Sequence, residues 1–192
     1  RVQACVRAAG EDLQDFIVSL GGQTVPNGPD NGFGGSYGGY NLITDHNAGR
    51  ARIQGIELSY QQQLTFLPGA LRRLSFFADY TRLMTDGDYG TTGPRTTHLV
   101  PNFVPTTANA GLSLPWGRFR WRALVNHTGE YLVGYSADRS RLRYKFERTA
   151  ANLNLSYVYS PKLEFYCDVQ NMFNAHQEWY YFSRDRQQSD FD

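Results

Sequence analysis

Apolar and polar side chains alternate along several stretches of this chain with a period of two, the pattern of a β-strand that has one dry and one wet face. From Thr107 to Leu114 the alternation is unbroken: Ala108, Ala110, Leu112 and Leu114 share one face, while Thr107, Asn109, Gly111 and Ser113 share the other. From Ala151 to Tyr159 the residues Ala151, Leu153, Leu155, Tyr157 and Tyr159 oppose Asn152, Asn154 and Ser156, with Val158 as the misfit. Leu163, Phe165, Cys167 and Val169 oppose Glu164, Tyr166, Asp168 and Gln170. The period recurs less cleanly over Ile56–Gln61, Leu74–Thr81 and Phe119–Asn126. An opening strand from Val2 to about Leu20, bulged near Gly10–Glu11, completes a predicted set of about seven strands.

The connections between these strands alternate in length. Pro68-Gly69, Pro115-Trp116-Gly117 and Ser160-Pro161-Lys162 predict short turns. The stretches 21–49, 85–105, 136–143 and 174 onward are long. Long loops at one end and short turns at the other are the habit of a membrane barrel, with external loops and periplasmic turns. A soluble sandwich has no reason to sort its loops in this way, and long structureless loops count against a compact domain.

The two faces agree with that reading. Glu57, Asp79, Arg120, Arg122, Asn152, Asn154, Glu164 and Asp168 all fall on the polar side. Charges buried singly in a dry core cost several kcal/mol each, roughly, whereas a hydrated lumen accepts them. The opposite side, with Leu112, Leu153 and Phe165, suits lipid tails. Tyr157, Tyr159, Trp116 and Trp121 gather near the turns, and Tyr131 and Tyr135 near the far strand end, as two aromatic girdles. The expected fold is all-β: an antiparallel up-and-down transmembrane β-barrel, present as a partial barrel because seven strands leave two open edges.

Composition adds three points. Nineteen Lys+Arg against 18 Asp+Glu leave a net charge of +1, so the chain offers no general attraction to nucleic acid. No run of 18 apolar residues predicts a transmembrane helix, which says nothing against spanning strands. Cys5 and Cys167 are too far apart for a redox or zinc motif and are expected as buried free thiols on apolar strand faces.

The candidate chemistry is mostly accidental. Gly34-Gly35-Ser36-Tyr37-Gly38 matches G-x-S-x-G, but Pro26, Gly28 and Pro29 stand where a nucleophile elbow needs a strand, and Gly39 follows where it needs a helix. The glycines fit an external loop instead, on which Phe33, Tyr37 and Tyr40 are candidate ligand-binding residues for a small ligand or saccharide. Asp86-Gly87-Asp88 opens like a calcium loop without the later ligands and is expected in a solvated loop, as are Arg139, Arg141 and Arg143. His46, His98, His127 and His176 are isolated, so no metal site, cofactor or catalytic residue is assigned. Two glycosylation sequons, at Asn126 and Asn154, fall within predicted strands.

Particular segments resemble one family. Gly55-Ile56-Glu57-Leu58-Ser59-Tyr60 is similar to a strand common in the barrels of TonB-dependent receptors. Leu153-Asn154-Leu155-Ser156-Tyr157, Ser160-Pro161-Lys162 and Val169-Gln170-Asn171-Met172-Phe173-Asn174 resemble that family's closing region, with Met172 where Leu is usual. The resemblance covers roughly residues 45–175. It implies an outer-membrane barrel of about 22 strands with a plugged lumen, of which these would be roughly strands 15–21. It implies energised uptake of a scarce ligand such as a siderophore, cobalamin or oligosaccharide. The implied partners are outer-membrane lipid, that imported ligand, and the TonB complex, met through an N-terminal region outside residues 1–192. The plug domain and a final aromatic strand would likewise lie outside this segment. A passive porin or other outer-membrane barrel, and a soluble carbohydrate-binding sheet domain, are the alternative readings.

Overall fold

The computed structural model describes residues 2–14, 17–47, 49–90, 95–182 and 187–190, of which 17–23, 43–47 and 187–190 are described by backbone alone. The described strands are β1 (Val2–Gln14), β2 (Ile17–Thr24), β3 (Asn41–Asn47), β4 (Arg50–Gln63), β5 (Ser75–Asp88), β6 (Thr106–Trp116) and β7 (Phe119–Thr128). They continue with β8 (Tyr131–Gly134), β9 (Arg143–Lys145), β10 (Arg148–Ser160), β11 (Leu163–Val169), β12 (Gln177–Tyr181) and β13 (Gln187–Asp190). Seven of them form one antiparallel sheet in the order β1-β4-β5-β6-β7-β10-β11, open at β1 and at β11. These are the seven strands expected from the alternation, arranged up and down as a partial barrel wall.

The remaining strands lengthen this wall at one end. Gln14 pairs with Arg50 and Ile17 with Asn47, so the β2–β3 hairpin prolongs β1–β4 without a net slip. Thr128 pairs with Arg148 and Tyr131 with Lys145, so β8–β9 prolongs β7–β10 in the same way. The expected loop over 21–49 instead holds the end of β2 and all of β3, because strands this short with little alternation carry no period; the start of β2 falls within the expected opening strand.

The wall has no core beneath it. Leu112 is 43% exposed and Phe165 56% exposed, and neither a second sheet nor a helix covers their face among the described residues. The apolar area is also cut obliquely to the strands. Its upper border runs through Ile56, Tyr80, Ala108, Val125 and Ala151. Ile56 pairs with Arg82, two residues above Tyr80; Ala108 pairs with His127, two residues above Val125. Tyr80 pairs directly with Ala108, and Val125 with Ala151. The border therefore drops by about one residue per strand step. With about 3.4 Å per residue and 4.8 Å between strands, that slope corresponds to a tilt of about 35°. Barrel strands cross a bilayer at about 35–45°. On β6 the band runs from Trp116 to Ala108, about 27 Å of strand, or about 22 Å of height at that tilt. A flat slab of hydrocarbon explains both the slant and the height.

Short turns close the opposite end. Gly117 and Arg118 join β6 to β7, with Gly117 at φ 62. Pro161 and Lys162 join β10 to β11. The expected Pro68-Gly69 turn is longer, spanning 64–74 around a 3-10 turn at Gly69–Arg73.

After β11 the chain folds back around Asn171, at φ 48. Its Nδ2 donates to Ala175 O at 3.2 Å, and its Oδ1 accepts from Ala175 N at 2.8 Å. Its own N–H donates to Asn152 Oδ1 at 2.8 Å, which ties the turn to β10. This geometry gives a physical reason for an Asn at the start of Asn171-Met172-Phe173-Asn174. Asn171→Ala should cost about 1–3 kcal/mol, because it removes two bonds and leaves a strained backbone. The check is a lowered denaturation midpoint of the full-length receptor in detergent.

Five further expectations are corrected. No bulge occurs at Gly10–Glu11: Gly10 pairs with Gln54 and Glu11 with Ile53 in one continuous register. Both cysteines are exposed, since among the described residues no layer covers either face, and the register puts Cys5 on the polar face opposite Ser59. Asp86-Gly87-Asp88 ends strand β5 rather than forming a loop, and Arg143 begins β9. Tyr135 is only 7% exposed and belongs to a core described below, not to a girdle. His46, by its side chain, and Phe191-Asp192 lie outside what is described.

Candidate ligand loop, polar face and outer cap

The loop between β2 and β3 is rich in Gly, Pro and Asn, yet it is braced. Val25 N donates to Tyr40 O at 2.8 Å and Gly39 N to Val25 O at 2.9 Å, closing the hairpin. Asn31 fills the centre: its Nδ2 donates to Ser36 O at 2.7 Å and Pro26 O at 3.2 Å. Its Oδ1 accepts from Phe33 N at 2.9 Å and Gly35 N at 3.0 Å. Gly34 and Gly35 sit at φ 61 and 82, where a side chain would be strained. Sequence reasoning missed Asn31; the available signal was an Asn with turn residues on both sides.

That brace holds the three predicted aromatics together in the open. Phe33 and Tyr37 meet edge-to-face with ring centroids 6.0 Å apart, and Tyr37 and Tyr40 at 5.9 Å. Tyr37 and Tyr40 are 62% and 68% exposed. Such pairs keep ring faces presented without collapsing into a core.

The polar face of the wall is a run of amides and ion pairs. Asn126 Nδ2 donates to Asn109 Oδ1 at 2.7 Å, and Asn152 Nδ2 to Asn126 Oδ1 at 3.2 Å, a ladder across β6, β7 and β10. Ser59 donates to Asp79, and Asn154 to Asp168. Arg120 and Glu164 are 3.4 Å apart and largely exposed, so their pair adds little stability and keeps the face wettable. Arg122 lies over the Phe77 ring at 5.9 Å, and that ring occupies the space a side chain at Gly111 would need.

Above the wall, buried aromatic and aliphatic residues form a compact cap. Tyr89, Leu132, Tyr135 and Leu142 make one cluster, with Tyr144 packed against it. Tyr89 stacks on Tyr135 with centroids 3.6 Å apart, and its hydroxyl donates to Leu99 O. Asn102 N donates to Leu132 O at 2.8 Å, and Thr96 Oγ1 to Ser136 O at 2.9 Å, fastening one loop to the next. Tyr144 stacks on Tyr180, whose hydroxyl donates to Glu130 Oε1 at 2.8 Å. Burial raises the pKa of Tyr89 far above the ordinary tyrosine value, helped by Tyr135 and Tyr144; burial also raises that of Tyr144. Asp138, which caps the short turn at Arg139–Arg141, is lowered by accepting from the Ser140 hydroxyl and N–H.

A dry slanted outer band, a wet inner face and folded external loops are the parts of a membrane receptor wall. The family model described as TonB dependent receptor-like, beta-barrel matches residues 11–172. The chain belongs to that family. No curated protein and no solved structure gives a match. TonB-dependent receptors are outer-membrane receptors and transporters rather than enzymes, and as a family they work with TonB and an imported ligand. In this receptor the G-x-S-x-G match sits in the β2–β3 loop, with β3 after it and not a helix. Both sequons lie inside strands, at Asn126 in β7 and Asn154 in β10.

Proposed function

We propose that this segment supplies wall and external loops to a bacterial outer-membrane receptor that takes up a scarce small ligand, energised through TonB. The observation that carries the reading is the opposition of a slanted apolar band to an amide-lined reverse face. Ligand is captured outside and passed along that wet face; these residues perform no catalysis. The TonB contact belongs to an N-terminal region beyond this segment, as does the plug.

Among siderophore, cobalamin and oligosaccharide, the β2–β3 loop favours the last. Between Val25 and Tyr40 the only charge is Asp30, so nothing there attracts an anionic iron complex. Exposed ring faces at Phe33, Tyr37 and Tyr40 suit the apolar faces of neutral sugar rings. The test is binding of a linear maltooligosaccharide, a ferric hydroxamate and cyanocobalamin to the full-length receptor. Tyr37→Ala and Tyr40→Ala should each weaken saccharide binding roughly tenfold, about 1.4 kcal/mol. Unchanged affinity in the double variant removes the loop from the site.

A further inference from the structure

We propose that the outer face of the wall holds one phosphorylated lipid of the surrounding leaflet, its acyl chain in an apolar groove and its headgroup on Arg82 and His127. The proposal rests on the membrane reading above and adds a specific lipid site to it. The groove crosses β1 to β7 and is lined mainly by Leu58, Tyr60, Tyr80, Ala108, Val125 and His127. It lies within the slanted band except at His127, which stands just above the border at Val125, so hydrocarbon faces most of it.

Polar groups sit directly at its upper edge. Arg82 is two residues above Tyr80 and donates through Nη1 to Thr106 Oγ1 at 2.6 Å. His127 pairs with Ala108 and places its Nδ1 2.9 Å from Thr149 Oγ1, leaving Nε2 on the far side of the ring. The Arg82 guanidinium and the His127 imidazole are thus each steadied by a threonine hydroxyl while part of each stays available. The outward rung through Val6, Leu58, Tyr80, Ala108, His127 and Thr149 has no carboxylate. Neither do the four residues Ala8, Ile56, Arg82 and Thr106 on the next. The nearest outward acids on β5, Asp86 and Asp88, lie higher and are engaged by Arg95 at 3.4 and 3.5 Å. An arginine at this level, held by one hydroxyl and in no ion pair among the described residues, fits a phosphate, which it can bind through two parallel N–H donors. The charge complementarity and the continuity of the groove with the lipid-facing band both select a phosphorylated lipid as occupant.

The test uses the full-length receptor in phosphatidylcholine nanodiscs doped with a bis-phosphorylated glycolipid or the same glycolipid without phosphates. Bound glycolipid per receptor is read by native mass spectrometry. The phosphorylated form should be retained about tenfold better, as expected for a charge-assisted contact. Arg82→Gln with His127→Gln should lower it to the level of the phosphate-free lipid. Ala110→Phe, which fills the groove, should release both, with strand content by circular dichroism confirming that the wall is intact. Excess inorganic phosphate should not displace the lipid. Equal retention of the two glycolipids, or an unchanged Arg82→Gln/His127→Gln variant, means that Arg82 only reaches interfacial water and overturns the proposal. Displacement by phosphate alone makes the site an anion site without a lipid and overturns it too. Failure of the membrane reading looks different: the receptor would stay soluble without detergent and enter no nanodisc.

Discussion

Leu112→Arg should keep the receptor from inserting stably into a bilayer, whereas Gln61→Arg should insert normally. Leu112 lies midway between Trp116 and Ala108, the two ends of the apolar band on β6, and therefore near the middle of the hydrocarbon. An arginine on the lipid face at that depth costs about 2–4 kcal/mol, falling toward zero at the interfaces. Gln61 sits on the reverse face between Gln3 and Phe77 and is exposed. A cation there meets water in the lumen and the Gln side chains beside it. The measurement is the fraction of full-length receptor that becomes protease-resistant after refolding into phosphatidylcholine vesicles. If Leu112→Arg inserts as well as the native receptor, the slanted band is not a lipid surface, and the lipid site above it falls as well.

The wall was legible because a transmembrane strand must satisfy one constraint per residue. Each side chain is either in lipid or in water, so Ala108, Ala110, Leu112 and Leu114 announce the face without reference to any neighbour. The slant of the band needs the register between strands, and register comes from pairings such as Ile56 with Arg82 that no single strand encodes. The external parts were harder for a related reason. Tyr89 is remote in sequence from Leu132, Tyr135 and Leu142 and joins them in one core only after β7–β10 is prolonged by β8–β9. Tyr135 looked like a girdle residue because its place in the chain is near a strand end, while its burial depends on the loop carrying Tyr89. At the ligand loop, Phe33, Tyr37 and Tyr40 were visible as aromatics among glycines, but their mutual placement depends on Asn31. The seven-residue turn region after β11 shows the intermediate case, where Asn171 was noticed as part of a family-like block and its hydrogen bonds explain why it is there.

Leu132→Ala should open the outer cap while leaving the wall inserted. Leu132 is 1% exposed and sits in the cluster that joins β8 to Tyr89, just past the end of β5. Truncating a leucine so enclosed costs about 2–5 kcal/mol, including the cavity left behind. The wall draws its stability from lipid contact and its own hydrogen-bond ladder, so the loss falls on the cap. Limited proteolysis of the receptor in nanodiscs should therefore cut within 95–105 at neutral pH in the variant and not in the parent. High pH should open the same cap in the native receptor. The pKa of Tyr89 is raised above its ordinary 10.0, first by burial and then by Tyr135 and Tyr144. A group raised on folding contributes its full stability below the unfolded value and loses it as pH climbs toward the folded one. Protection should thus hold up to about pH 10 and weaken beyond it. Tyr89→Phe keeps the stack on Tyr135 but loses the bond to Leu99 O, so it should cost about 1 kcal/mol and make the cap less sensitive to alkali. Tyr144, itself raised by burial and lying near Arg139 and Glu130, leaves some alkaline sensitivity in that variant. Cleavage inside the cap that is independent of both substitutions and of pH would mean that these loops are not held by the Tyr89–Tyr135 core.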